Sequence, residues 1–276
     1  IYMKYINKLI ISFLVLIIPA LGISEEQLEE FNPNLPAQIT EANAEFVYKF
    51  LLAELAIQRN DINSAGHLYL DLAKLTKNTG FAQSAAQLGG MVRNGRLALD
   101  AADIWSKLDP ESRDAKKVLA EMYIASGNLS KAKPLVKEIL ESEDSKGDGF
   151  LYLNNILTRV ENKSNALRFI IDIAKPYAKM VEAHFAVAHT AHMAGNITIR
   201  DKELATINKL NPNWETSTLF IGSIQFDEDP MMAIETYQKF VKNNPKSNTV
   251  RLELAKALVQ TEQYPAAKKH FEKLVN

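Results

Sequence analysis

Five histidines and no cysteine set the chemical inventory of this 276-residue chain. Three of the histidines, His184, His189 and His192, fall within nine residues and form the one cluster whose side chains could hold a metal. Zinc takes four donors in a tetrahedral site. His189 and His192 stand three residues apart and share a helix face, but His184 lies about 140° from His189 around a helix of 3.6 residues per turn. Glu182 and Glu215 would have to complete the set. The reading is therefore two histidines facing a groove and one packing histidine, with neither metal nor small-molecule cofactor expected. No His-Glu-x-x-His motif, Gly-rich phosphate loop or Cys nucleophile occurs. Ser, His and Asp are present, but no spacing brings them together. The chain is read as non-enzymatic, so catalysis would need a domain that it lacks. Trp105 and Trp214 read as core and as core or rim packing, not as ligand-binding rings.

Composition fits a folded protein. Apolar residues make up 47%, charged residues 24%, and the formal net charge is −1. Such a balance gives no ground for a nucleic-acid partner. The N-terminus is a separate object. Met3 is followed by Lys4, Lys8, the apolar run Leu9 to Ile18, and Pro19-Ala20-Leu21-Gly22. A short basic stretch, a short apolar core and small residues describe a secretory signal peptide over residues 1–22, with cleavage after Gly22. The run is shorter than the roughly 20 residues that a spanning helix needs. The alternative is an uncleaved N-terminal anchor. Ile1 and Tyr2 precede the start Met and stay outside the physical argument. Residues 23–39, acidic and carrying Asn32-Pro33-Asn34-Leu35-Pro36, read as an extended leader, and Thr40 as the cap of a first helix.

What positions all these residues is an internal period. Ala65, Ala98, Ala132, Ala166, Ala233 and Ala267 are separated by 33, 34, 34, 67 and 34 residues, and the double step leaves room for a degenerate repeat centred on Arg200. Thirteen residues before each anchor stand Leu52, Ala85, Leu119, Leu153, Val187, Phe220 and Leu254. Four and seven after the anchors come apolar rows that include Tyr69, Ala102, Val136, Ile170 and Tyr237, then Leu72, Trp105, Ile139 and Phe240. A period of this length describes stacked helical hairpins. Small anchors let two helices approach, and the later rows lie on one face of the second helix. Arg59-Asn60-Asp61, Asn94-Gly95, Ser126-Gly127-Asn128 and Ala194-Gly195-Asn196 mark turns, where Gly or Asn can take the left-handed conformation. Asp109-Pro110, Asn211-Pro212 and Asn244-Pro245 end second helices. Arg200, too large for its slot, is expected to splay the fifth hairpin. The acidic stretch Glu141 to Asp148 reads as a solvated loop.

The pattern of a Leu-Ala pair, an aromatic, Gly, Ala, an aromatic and then Pro resembles the tetratricopeptide repeat (TPR). The third repeat matches best, through Leu119-Ala120, Tyr123, Gly127 and Ala132, and the resemblance covers about Thr40 to Asn276. It implies an all-α, right-handed superhelical solenoid of about seven hairpins over residues 40–276. The layout, with Phe46 to Glu54 opening the array behind a signal peptide, is similar to envelope TPR proteins of proteobacteria.

The resemblance also implies that first helices line a concave groove. The groove rows then supply Phe50, Glu54, Ile57, Lys117, Glu121, Leu151, Asn155, Phe185, His189 and His192. Apolar and polar groups mixed in this way suit an extended peptide or a helix, although the apolar members could equally pack on neighbouring first helices. Lys117 and Asn155 occupy two positions of the terminal-carboxylate clamp of one TPR subgroup, but the other rows do not supply the set. The expected function is a protein–protein scaffold or adaptor of the bacterial periplasm or envelope. The alternative is the N-terminal repeat region of a larger envelope assembly or export protein, or of an enzyme whose catalytic domain lies elsewhere. Phe271 and Leu274 fall in rows that a further hairpin should cover. The array is therefore expected to continue beyond Asn276 or to self-associate through an open C-terminal end.

Overall fold

The computed structural model describes residues 41–142 and 145–275. The readings of residues 1–22 as a signal peptide, 23–39 as a leader and Thr40 as a cap lie outside them. The chain divides into two units, Ile1–Glu45 and Phe46–Asn276. Of the first, only the opening residues of helix α1 are described. The second is an all-α helical-repeat solenoid.

Fourteen α-helices follow one another as seven hairpins among the described residues: α1 (Glu41–Gln58) with α2 (Ile62–Thr76), α3 (Thr79–Met91) with α4 (Gly95–Leu108), α5 (Arg113–Ala125) with α6 (Leu129–Ser142), α7 (Lys146–Leu157) with α8 (Lys163–Ala174), α9 (Val181–Met193) with α10 (Ile197–Leu210), α11 (Glu215–Glu228) with α12 (Pro230–Asn243), and α13 (Asn248–Gln260) with α14 (Tyr264–Val275). Each odd-numbered helix is the first of its pair.

Local chemistry sets the boundaries. Asp61, Asn94, Asn162, Asn196 and Asp229 cap second helices by accepting backbone N–H groups that no helical carbonyl can satisfy. Ser112, Ser145 and Ser247 do the same for first helices. The Ser145 cap starts α7 at Lys146, with Asp148 in the first turn, so the expected loop over Glu141 to Asp148 is partly helix. An acidic group near a helix N-terminus is favoured by the helix dipole. Left-handed residues join the pairs at Asn60, Gly127 and Gly195. At the second turn Arg93 takes that conformation instead of the expected Asn94 or Gly95, because Asn94 is already used as the cap.

The six anchor alanines are all buried, at 2% exposure or less. The closest approach in the second hairpin is tighter still. A Cβ on Gly89 would lie 2.7 Å from the backbone nitrogen of Ala98, so α3 and α4 touch through backbone. Trp105 is buried against Phe81, Ile104 and Val118. Leu52, expected in the core, is 38% exposed. It belongs with Val47, Tyr48, Leu51 and Leu55 to an apolar stripe on α1 that remains open.

The fifth hairpin is not splayed. Helices α9 and α10 pack along their lengths, and the Arg200 side chain lies across the slot, 14% exposed, with Nε donating to Asp201 Oδ1 at 2.7 Å. An arginine stem can fill apolar space while its head reaches solvent. Ile207 is the one fully buried residue of α10.

Candidate interaction face of the first helices

The sequence-derived groove residues fall into three groups. Ile57 and Leu151 are exposed, at 37% and 36%, and Asn155 and His192 are also exposed. Leu252 and Val259, in the same two apolar-bearing rows of α13, are exposed as well. These side chains form the accessible part of the face.

A second group is tethered within the array. The Tyr69 hydroxyl, on α2, donates to Glu54 Oε1 on α1. Burial, followed by the Glu54 hydrogen bond and charge, pushes the Tyr69 phenol above its ordinary range. Two hairpins on, Tyr152 of α7 lies beside Glu121 of α5. Burial comes first, then the Glu121 charge and hydrogen bond, in raising that phenol, while Arg159 opposes them. Glu54 is therefore a held carboxylate and Glu121 has a phenol beside it, unlike the freely solvated row that their spacing suggests. Gly222 of the same row is buried under Tyr237. Lys117 borders a small cleft of about 20 Å³ with Ile139, Tyr152, Leu153 and Ile156. The clamp positions Lys117 and Asn155 thus lie on α5 and α7 beside the Glu121–Tyr152 pair.

The third group is packed. Phe50 stacks at 6.0 Å on Phe46 and meets the edge of Phe81 at 6.2 Å. Phe185 is 7% exposed, with its ring against Trp214 at 5.2 Å and Phe220 at 5.5 Å. For Phe185 packing, not groove exposure, describes the residue. The cause is that Trp214 enters from the α10–α11 turn and Phe220 from α11, two residues brought over α9 by the stacking of hairpins.

His189 and His192 continue this ring cluster, at 5.2 and 5.5 Å from Phe220. Burial, and secondarily the charge of His192, depresses the proton affinity of His189. Its Nδ1 is buried without a hydrogen-bond partner among the described residues. His184 turns the other way. Its Nδ1 meets Glu203 Oε2 at 2.5 Å and its Nε2 meets the Ala178 carbonyl at 3.0 Å. Among the described residues no group of three His, Cys, Asp or Glu side chains could hold a metal ion.

A cleft of about 350 Å³ lies elsewhere, between second helices α6 and α8. Its polar side chains pair with one another. Lys133 and Lys175 both pair with Asp172, whose carboxyl they hold below the usual range, and Arg168 donates to Asn165. It reads as a surface ion-pair network. Sequence reasoning missed the Tyr69–Glu54 bond and the placing of Tyr152 beside Glu121. The signal was present in Tyr69, in the row four after the anchor, but Tyr152 has no counterpart of that kind.

No family model matches the chain. A TPR repeat-containing protein of Pseudomonas aeruginosa is 23% identical over 213 residues, which cover 76% of this chain and 35% of that protein. The chain thus spans about a third of the curated relative's length. Among solved structures, MamA aligns with a TM-score of 0.39 and 16% identity over 60% of this chain and 91% of that one. YrrB, described as a TPR protein with an unusual peptide-binding site, aligns with a TM-score of 0.38 and 14% identity over 64% and 92%. The C-terminal part of a TPR repeat-containing protein from Cytophaga hutchinsonii aligns with a TM-score of 0.42 and 14% identity over 83% and 91%. With its buried alanine anchors and its seven hairpins, the chain is an all-α helical-repeat array that is similar to the Pseudomonas TPR repeat-containing protein.

Proposed function

We propose that this array is a protein-binding scaffold whose first-helix face receives an extended or helical polypeptide segment. The observation that supports this reading most is the contrast within that face. Ile57 and Leu151 remain exposed on a face that also carries Glu54, held by Tyr69, and Glu121, while Leu252 and Val259 are exposed in the same rows of α13. Apolar contacts give such a face affinity, and held polar groups give it direction at little ordering cost. Glu54 and Glu121 favour a segment that carries basic or amide donors near its apolar side chains.

The chemistry of the site is recognition, not turnover. The histidines of the cluster pack on rings or pair with Glu203, and none is paired with a candidate nucleophile. The activity of a longer protein containing this array would be a separate question, given the length of the Pseudomonas relative. The test is a double substitution, Ile57→Ser with Leu151→Ser, compared with the natural chain for capture of polypeptides from the cell of origin. The reading expects capture to fall at least tenfold while the helical circular-dichroism signal and melting point stay unchanged. Equal capture by both chains would remove its basis.

The proposed site of action is the cell envelope, reached through the basic and apolar N-terminal pattern of residues 3–22. Among the described residues no helix is long and apolar enough to cross a membrane. Sequencing of the mature N-terminus tests this, with Ile23 expected; Met3 retained on a chain recovered from the cytoplasmic fraction would contradict it.

A further inference from the structure

Sixteen residues before the anchors, the first helices carry Lys49, Ala82, Lys116, Phe150, His184, Ser217 and Arg251. The row is basic in alternate hairpins. In three of these the basic side chain meets a carboxylate of its own second helix. Lys49 pairs with Asp71 at 3.0 Å, Lys116 with Glu138 at 2.5 Å and His184 with Glu203 at 2.5 Å. Asp71 and Glu138 both stand six after their anchors, and Glu203 stands three after Arg200.

The seventh hairpin breaks the pattern. The corresponding positions on α14 hold Lys273 and His270. Arg251 is 5% exposed. Its guanidinium donates to the Pro245 carbonyl, in the turn before α13. Among the described residues no carboxylate pairs with it, and Glu272 on α14 lies 3.9 Å from Lys268. The His270 Nδ1 is buried and has no hydrogen-bond partner among the described residues. A guanidinium has five N–H donors, and a buried cation without a counter-charge is costly. Burial, with Arg251 and Lys273 adding to it, also disfavours a proton on His270. The position that a carboxylate takes in the other hairpins is exposed there, at 48% for Asp71 and 53% for Glu138, and Lys273, which holds it in the seventh, is exposed as well.

We propose that Arg251, His270 and Lys273 form a binding site for a carboxylate on an acidic side chain of another polypeptide. That group would complete in the seventh hairpin the ion pair that Asp71 and Glu138 complete in the first and third. An arginine is suited to this, because its planar fork can take both oxygens. The site is separate from the first-helix face and does not depend on what binds there.

The test follows the Arg251 Nε–H and His270 ring signals of the full chain by NMR at constant ionic strength. The probes are a hexaglutamate peptide, sodium acetate, sodium phosphate and sodium chloride. Two variants accompany them: Lys273→Glu, which supplies an internal carboxylate where Asp71 and Glu138 sit, and Arg251→Met. The proposal expects saturable shifts with hexaglutamate at a concentration at least tenfold below that needed for acetate, and none in either variant. Lys273→Glu should also melt higher than the natural chain, and it decides the matter if Arg251→Met fails to fold. Shifts that persist in Lys273→Glu, phosphate saturating before the peptide, or no saturation with any probe would overturn the proposal.

Discussion

The Tyr237 ring occupies the space that a side chain on Gly222 would need. A Cβ there would lie 2.2 Å from Tyr237 Cε1 and Cζ. Tyr237 is buried against the α11–α14 core, so the ring has no room to retreat. Gly222→Ala should therefore destabilise the chain by roughly 1–3 kcal/mol, the usual scale of overpacking. Gly90, also helical, has nothing within 4 Å of its built Cβ. Gly90→Ala should stabilise by about 0.5–1 kcal/mol through the lower entropy of the unfolded chain. Denaturant midpoints of the two variants should move in opposite directions.

Tyr69 ties Glu54 to the first-helix face, where Tyr152 lies beside Glu121. Both phenols are raised, burial being the larger cause. A raised phenol contributes stability that is present below the unfolded value, near 10, and is lost as pH rises toward the folded one. Absorbance titration near 295 nm should find these two tyrosines still protonated at pH 11. Tyr69→Phe should cost about 0.5–1.5 kcal/mol and release Glu54. Ionisation of all tyrosines together near pH 10 in the folded chain would argue against the bonds.

Phe185 and Leu151 occupy the same row and should behave differently. Phe185→Ala opens the space under Trp214 and Phe220 and should cost roughly 3–5 kcal/mol. Leu151→Ala, at an exposed position, should stay within about 0.5 kcal/mol of the natural chain. Urea melts of the two proteins distinguish them, and equal losses would mean that the face is core.

Acid should weaken the array before neutral pH does. His189 and His270 both have proton affinities below the ordinary value of 6.5. The unfolded chain then binds more protons in mildly acidic solution. Their contribution to stability is complete above pH 6.5 and is lost as pH falls through the depressed folded values. His189→Gln and His270→Gln together should flatten the stability profile between pH 6.5 and 5 relative to the natural chain, measured by thermal melts at each pH.

The hairpins were legible because their requirement is local and repeated. Small residues recur where two helices approach closely, and Ala65, Ala98, Ala132, Ala166, Ala233 and Ala267 are all buried. Turn ends were legible for the same reason at Gly127 and Gly195, but not at Arg93, where the demands of an Asn cap displaced the left-handed residue by one. The face was read less well. Row position distinguishes first from second helix, but not whether a neighbour covers a side chain. Phe185 and Leu151 share a row and differ because Trp214 and Phe220 reach only the former. Glu54 and Glu121 read as solvated because hydroxyl partners from other helices leave no mark on local polarity. The Arg200 misfit was legible, but its outcome was not, since an arginine stem can lie across a slot made for alanine.

The central claim, that a polypeptide segment docks on the first-helix face, is tested most directly by site-specific photocrosslinking. Benzoylphenylalanine is placed singly at Ile57, at Leu151 and at Lys137, an exposed position of second helix α6. Crosslinked peptides are then identified by mass spectrometry after illumination in cells. The account predicts adducts to the same polypeptide segment from Ile57 and Leu151 and none from Lys137. Adducts from Lys137 with silence at both first-helix positions would contradict it.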